Sequence, residues 1–317
     1  PRMLQSGSHS DEFYREMWRA IRTEGYWSGE VWNRRKDGHV YLQHLTITAV
    51  RNEAGEITHY VGDGYDLTEQ KQAEAHRAEI LAARAVQRSL LPTDVPRLPG
   101  VEIWGNLHPA DSVSGDFFDF LPLDDDAIGI VVADVSGHGL GPGLLMAQLL
   151  AHLRSIAEFF HDPEEMLTQA NRLFMRSQTS HFVTMFLGRF DVKTRSFVYA
   201  SAGHQGNILK ANGQTLTLQS TGIPLGISDH WTSIERPTAV VLEEGDTLVV
   251  ATDGFEEQTN PAGEHFGRER MLSVVRDNFT QPARHIVEKL CSAVDEFSGV
   301  LKQGDDVTAV ILKVLGS

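Results

Sequence analysis

The sequence predicts an α+β chain in which antiparallel β-sheets form a sandwich flanked by helix pairs, joined through one long helix to a smaller sheet-and-helix region. Three observations carry this reading. From Val101 onward, apolar strands end in acidic, Gly-rich turns and follow one another in hairpin-like succession. The helical stretches arrive in pairs, whereas a doubly wound parallel sheet would place a helix after every strand. Residues 69–91 contain neither Gly nor Pro and lie between the two patterns.

Taken in order, residues 11–23 read as a short helix. Residues 25–66 alternate apolar and polar positions, rich in aromatic and β-branched side chains. Turn signals at Lys36-Asp37-Gly38 and Asn52-Glu53-Ala54-Gly55 divide them into three antiparallel strands. Asp66-Leu67-Thr68-Glu69 has the form of a capping box, so a helix of about six turns should run over residues 69–91. Its apolar stripe of Ile80, Ala83, Val86, Leu90 and Leu91 must be buried against something, and Pro92, Pro96 and Pro99 end it. Further on, strands are predicted at 127–133, 182–190, 197–200, 247–251 and 307–314. Helices are predicted at 144–160, 163–177, 268–278 and 283–297.

Composition bounds the function. A chain of 317 residues with 41% hydrophobic and 22% charged side chains can bury a core and suits two unequal domains. Forty-three acidic against 28 basic residues give a formal charge of -15. That charge disfavours nucleic acid and anionic lipid and favours divalent cations. Cys291 is the single cysteine, and no Arg stands six positions after it, which excludes an internal disulfide and a Cys-x5-Arg phosphatase loop. No apolar run approaches the roughly 18 residues of a membrane span, and no leader pattern opens the chain, so the expected location is the cytoplasm. Because residue 1 is Pro1 and the opening reads like the middle of a domain, the native chain is expected to begin earlier.

The acidic residues at strand ends need an explanation. Asp116, Asp134, Asp253 and the pair Asp305-Asp306 each adjoin a strand apolar enough to be buried. Burying a lone carboxylate costs several kcal/mol unless a cation or hydrogen bonds answer it. Any one of these aspartates could simply cap a turn. Taken together they point to a divalent metal, and oxygen donors without Cys or clustered His suit Mg²⁺ or Mn²⁺.

Two resemblances extend this reading. The run W-S-G-E-V-W-N-R-R-K-D-G, the alternating strands and the exit D-L-T-E-Q-K resemble the C-terminal half of a PAS domain. Pro1 stands where related flavin photosensors carry their reactive cysteine, so no light-driven adduct is expected. The motifs Q-R-S-L-L-P (87–92), S-G-D-F-F-D (114–119), A-D-V-S-G-H-G (133–139), S-A-G-H-Q (201–205), T-D-G-F-E-E (252–257) and G-D-D-V-T (304–308) resemble the PPM superfamily of metal-dependent protein phosphatases, in its bacterial RsbU/SpoIIE branch.

The second resemblance implies a protein serine/threonine phosphatase with two divalent ions, Mn²⁺ or Mg²⁺, that hydrolyses phosphoserine through a metal-activated water. By the same resemblance Asp134 and the Val135 backbone carbonyl are metal ligands, Asp253 and Asp305 are terminal ligands, and Asp116 reaches the metals through water. Asp119, Glu257 and Asp306 are acidic neighbours of less certain role. Ser114 replaces a glycine more usual in the family, while Gly115 keeps the close backbone approach. No counterpart of the phosphate-gripping arginine of the animal enzymes is evident. His138 lies in the metal-binding turn and is the proton-donor candidate, although pinning that turn is the competing role; His204 is expected to order a turn.

The implied organisation is residues 1–68 as partial PAS domain, 69–96 as linker helix and 97–317 as phosphatase domain. The implied substrate is a phosphorylated STAS-type anti-sigma-factor antagonist. A homodimer through the linker helix is expected, against packing of that helix on its own phosphatase domain. The competing readings are a metal-binding pseudophosphatase that docks partners and a PAS ligand sensor with the rest as scaffold.

Overall fold

The computed structural model describes residues 2–110, 113–234 and 239–316, and of Arg2 only the backbone. Pro1, which carried the comparison with photosensors, lies outside the described residues. The chain divides into two compact units, Pro1–Glu79 and Ile80–Ser317.

In the first unit, α1 (Asp11–Glu24) begins at Ser10, whose hydroxyl accepts the Phe13 N–H, and ends at Gly25 with φ of 87°. Its Met17 and Ile21 pack on Ile47 of a three-stranded antiparallel sheet. That sheet is β1 (Tyr26–Arg34), β2 (Val40–Arg51) and β3 (Ile57–Asp66), in that order. Both tight turns fall where the Gly signals place them, with Gly38 and Gly55 at positive φ.

Helix α2 (Thr68–Leu90) starts differently from the capping box read in the sequence. Asp66 Oδ1 accepts the Thr68 N–H at 2.9 Å, and the Thr68 hydroxyl accepts the Leu42 N–H instead of capping its own helix. The expected stripe is also corrected. Val86 is 64% exposed, and the buried residue of the helix is Gln87. Leu90 and Leu91 do pack on the helix side of the sandwich below, so the inward line is displaced around the helix toward Gln87.

The second unit is an antiparallel sandwich. One sheet runs β10-β9-β12-β13-β4, from β4 (Val101–His108), β9 (Gly206–Leu209), β10 (Thr215–Leu218), β12 (Thr247–Ala251) and β13 (Val307–Val314). The other runs β11-β8-β7-β6-β5, from β5 (Phe117–Asp124), β6 (Ala127–Val135), β7 (Val183–Asp191), β8 (Ser196–Ala202) and β11 (Val240–Val241). Alternation along β6 sets the layers. Ile128, Ile130 and Val132 face the other sheet, while Val131, Ala133 and Val135 face α3 (Leu140–Ala157) and α4 (Pro163–Phe174). On the opposite side Val249 and Ile311 pack on α6 (Gly267–Asp277) and α7 (Ala283–Ser298), with the short α5 (Gly254–Glu257) before them. Helix pair, sheet, sheet, helix pair is the predicted α+β sandwich.

Five strands go beyond the sequence reading, β4 being the first of them. β5 carries Asp119 and Pro122 and breaks the apolar alternation, and β9, β10 and β11 are only two to four residues long. Helix α3 begins four residues earlier than expected. Pro142 falls in its first turn, where a missing N–H costs nothing, so the Gly-rich run is helical from Leu140.

Candidate functional site

Four strand ends from both sheets meet at one end of the sandwich. Asp134 is the penultimate residue of β6, and Asp116 immediately precedes β5, whose Phe117 pairs with Ala133. Asp253 follows β12, and Asp305 and Asp306 lead into β13, the two strands being paired from Ala251↔Ala309 onward. A register that keeps the apolar faces inward therefore delivers these aspartates to one neighbourhood.

Their electrostatics show that they sense one another. Burial, followed by the charge of Asp134, pushes Asp116 well above the usual carboxylate range. Burial and the charges of Asp253 and Asp305 raise Asp134 to about 7. Asp253 is raised by burial and then by Glu257, and Asp305 by burial and then by Asp306 and Asp253. His138 acts on Asp305 in the opposite sense and lowers it.

Close backbone approaches hold the cluster. A Cβ on Gly115 would stand 2.8 Å from the Val135 carbonyl oxygen and 3.5 Å from Asp134 Oδ1, so only glycine lets the S-G-D loop lie against the end of β6. A Cβ on Gly254 would fall 1.9 Å from the Asp306 carbonyl oxygen. Asp116 is oriented by the Thr252 hydroxyl, which donates to Oδ2 at 2.8 Å.

The acidic neighbours divide. Asp306 Oδ2 accepts from the Ser114 hydroxyl at 2.6 Å and from the Gly115 N–H at 2.9 Å, and Oδ1 accepts the Ala110 N–H at 2.8 Å. Its carboxylate thus clamps the loop carrying Asp116. Ser114 is more than a tolerated departure, because its hydroxyl also accepts the Asp116 N–H. Asp119 is engaged elsewhere, accepting from Arg154 Nε at 2.7 Å on the α3 side of the sheet. Glu257 sits in α5 and acts on Asp253 by repulsion.

Residues outside the acidic motifs complete the site. His181 Nδ1 donates to the Ser136 carbonyl at 2.7 Å, which is the turn-pinning job considered for His138. Gln87 accepts the Ser114 N–H and donates to the Ser114 carbonyl, tying α2 to the site loop. His204 is buried; Nε2 donates to the Ala251 carbonyl at 3.0 Å, fixing the end of β12 two residues before Asp253. Burial pushes its pKa down to about 4, so it stays neutral. Gln87 lies within a motif visible in the sequence, whereas nothing in the sequence singled out His181.

Among the described residues, no three His, Cys, Asp or Glu side chains stand as a closed metal cage. The donor chemistry still fits hard divalent ions: Asp116, Asp134, Asp253 and Asp305 offer oxygen only, and the charges that act on them are chiefly those of other carboxylates, which a cation would relieve.

Known proteins carry the same architecture. The family Stage II sporulation protein E (SpoIIE) matches residues 124–315. Phosphoserine phosphatase RsbU of Bacillus subtilis (strain 168) is 28% identical over 279 residues, covering 87% of this chain and 75% of RsbU. The SiaA-PP2C domain of Pseudomonas aeruginosa superposes with a TM-score of 0.67 at 25% identity, over 78% of this chain and 99% of that domain. The RsbU and RsbW domains of a Mycobacterium tuberculosis protein superpose at 0.58 and 26% identity, over 72% and 64%. With the SpoIIE match spanning more than half of the residues and the PP2C fold present in full, this chain belongs to the SpoIIE family of phosphatases.

Proposed function

We propose that this chain is a metal-dependent protein serine/threonine phosphatase that hydrolyses phosphoserine on a regulatory protein. One observation carries the reading: carboxylates from both sheets, Asp116 wholly buried and Asp134 partly so, converge at one end of the sandwich and raise one another. Asp134, the Val135 carbonyl, Asp253 and Asp305 would hold two divalent ions, Mn²⁺ or Mg²⁺, with Asp116 behind them. Such ions, when bound, would supply Lewis acidity and an activated water.

The chain's own residues do the rest. Asp306 and Gln87 hold the Asp116 loop in place, and His204 and Thr252 fix the approach to Asp253. His138, in the turn after Asp134, is our candidate for giving a proton to the leaving serine oxygen. As its substrate we propose the phosphorylated STAS-type antagonist that the resemblance implies, met in the cytoplasm; similarity to phosphoserine phosphatase RsbU supports the phosphoserine part of that reading. No described helix is long and apolar enough to cross a membrane.

Residues 1–68 are proposed as the C-terminal part of a PAS sensor, 69–96 as the linker helix and 97–317 as the phosphatase domain. The order helix, three antiparallel strands, long helix supports this, as does a recess of about 1350 Å³ in the first unit walled by Trp18, Asn33, Gln43 and Tyr60. Leu81 and Val86, both exposed on α2, support a homodimer through that helix.

The test is release of phosphate from a phosphoserine protein and from p-nitrophenyl phosphate. Turnover should vanish with chelator and return with Mn²⁺ or Mg²⁺. A chain that binds these ions without turning over either substrate would be the pseudophosphatase instead.

A further inference from the structure

A cavity of about 180 Å³ lies beside Asp253 in the second unit, and none of the proposed metal ligands but Asp253 lines it. Sites for whole small molecules run to about 300–1,000 Å³, so this one suits a single side chain. Glu256, Arg268, Gln205, Asn207 and Met271 form its walls with Asp253.

The polar groups are preorganised. Arg268 Nε donates to Glu256 Oε1 at 2.8 Å, and its Nη1 donates to Gln205 Oε1. With the guanidinium held on two sides, Nη2 keeps no protein partner among the described residues. Asn207 is only 3% exposed; its Oδ1 accepts from Thr217, and its Nδ2 likewise has no protein partner among them. Arg268 and Asn207, each with an unused donor, therefore line one small cavity together with the apolar Met271. An acceptor with a short aliphatic stem satisfies that set, and a carboxylate gains most from a fixed guanidinium fork.

Position supplies the rest. Asp253 belongs both to this cavity and to the carboxylate cluster, so a chain entering the cluster through its phosphoserine passes the cavity within a few residues at about 3.4 Å each. We propose that the cavity is a substrate subsite for an Asp or Glu flanking the phosphoserine, bound by Arg268 and Asn207. This rests on the phosphatase reading above. Asp253 and Glu256 would repel such a residue, so selection for an acid depends on Arg268.

The experiment uses the whole chain with Mn²⁺, p-nitrophenyl phosphate, and phosphoserine peptides bearing Glu, Ala or Lys one to three residues to either side. The parent should favour Glu at one position over Ala by about tenfold in kcat/KM, mainly through KM. Arg268→Gln should bring that ratio to unity or below, and Glu256→Gln should raise it. Melting temperatures accompany both variants. Equal turnover of all peptides by a parent that hydrolyses the aryl phosphate would overturn the subsite and leave the phosphatase reading standing. An equal fall on every peptide in Arg268→Gln would also overturn it, since the residue would then serve the fold or the phosphoryl group. A parent inactive on every substrate would overturn both.

Discussion

The two ends of strand β12 carry aspartates with opposite fates: Asp246 is buried, and Asp253 opens to solvent. Before the strand, Asp246 is 1% exposed and fully answered by the chain: Lys210 Nζ donates to Oδ2 at 2.7 Å, and the N–H groups of Glu243 and Ala211 supply two more bonds. After the strand, Asp253 faces Glu257 and Glu256 as its leading charged neighbours and is raised above its ordinary value. A carboxylate matched by the chain's own donors secures a fold. One matched by further carboxylates costs stability until something positive arrives, and its retention points to ligand binding.

The sharpest break of this comparison is Asp134→Asn. It removes one charge from the crowded end without changing volume, and turnover should fall by about three orders of magnitude or more. The metal-free melting temperature should hold or rise. The same exchange of charge for none at the other end, Asp246→Ala, should do the reverse. It strands Lys210 and two backbone N–H groups, costing about 3 kcal/mol in chemical denaturation, while turnover at temperatures below the transition persists.

Adjacent Asp305 and Asp306 repeat the contrast within one motif. Asp305→Asn should weaken metal binding with little effect on stability. Asp306→Asn replaces an acceptor oxygen with an NH2 group facing a donor, at a cost of about 1–3 kcal/mol, and loosens the Asp116 loop. The sequence left the role of Asp306 uncertain, and the three bonds its carboxylate accepts make it a clamp on the Asp116 loop. Equal melting temperatures for the two variants would remove the distinction.

The smallest expected effect is a pH slope. Asp134 is raised from an ordinary 3.8 to about 7, so its contribution to stability is complete below about pH 4 and is lost as pH rises through 7. His204, lowered to about 4, opposes this over much of the same window, so the effect is read as a difference: the metal-free parent should lose stability relative to Asp134→Asn between about pH 4 and pH 7. Asp66 and Asp191 are lowered and titrate below the window, so they do not mask it.

Legibility in the sequence followed from what kind of force placed each residue. The long strands 247–251 and 307–314 and the helix pairs were readable because burial imposes a period on their side chains. β9 to β11 were not, since a strand of two to four residues is too short to show one. Val86 was misread because a helix face with small alanines leaves its inward direction weakly marked, and Gln87 is drawn in by hydrogen bonds instead. Strand-end aspartates were visible as chemistry without knowledge of their partners. The difference between Asp305 and Asp306 depends on which loop crosses over them, and Ser114 and Gly115 of that loop lie 192 and 191 positions before Asp306. Arg268 was invisible for the same reason, being defined by Glu256 and Gln205 on other segments.

Calorimetric titration of the metal-free chain with Mn²⁺ near pH 6.5, in buffers of different ionisation enthalpy, tests the central claim most directly. If the crowded carboxylates await a cation, binding should displace the protons they retain, and the observed heat should vary with the buffer as protons are released. Asp134→Asn should abolish both the tight binding and the release. Binding without proton release, or unchanged binding by Asp134→Asn, would contradict the account.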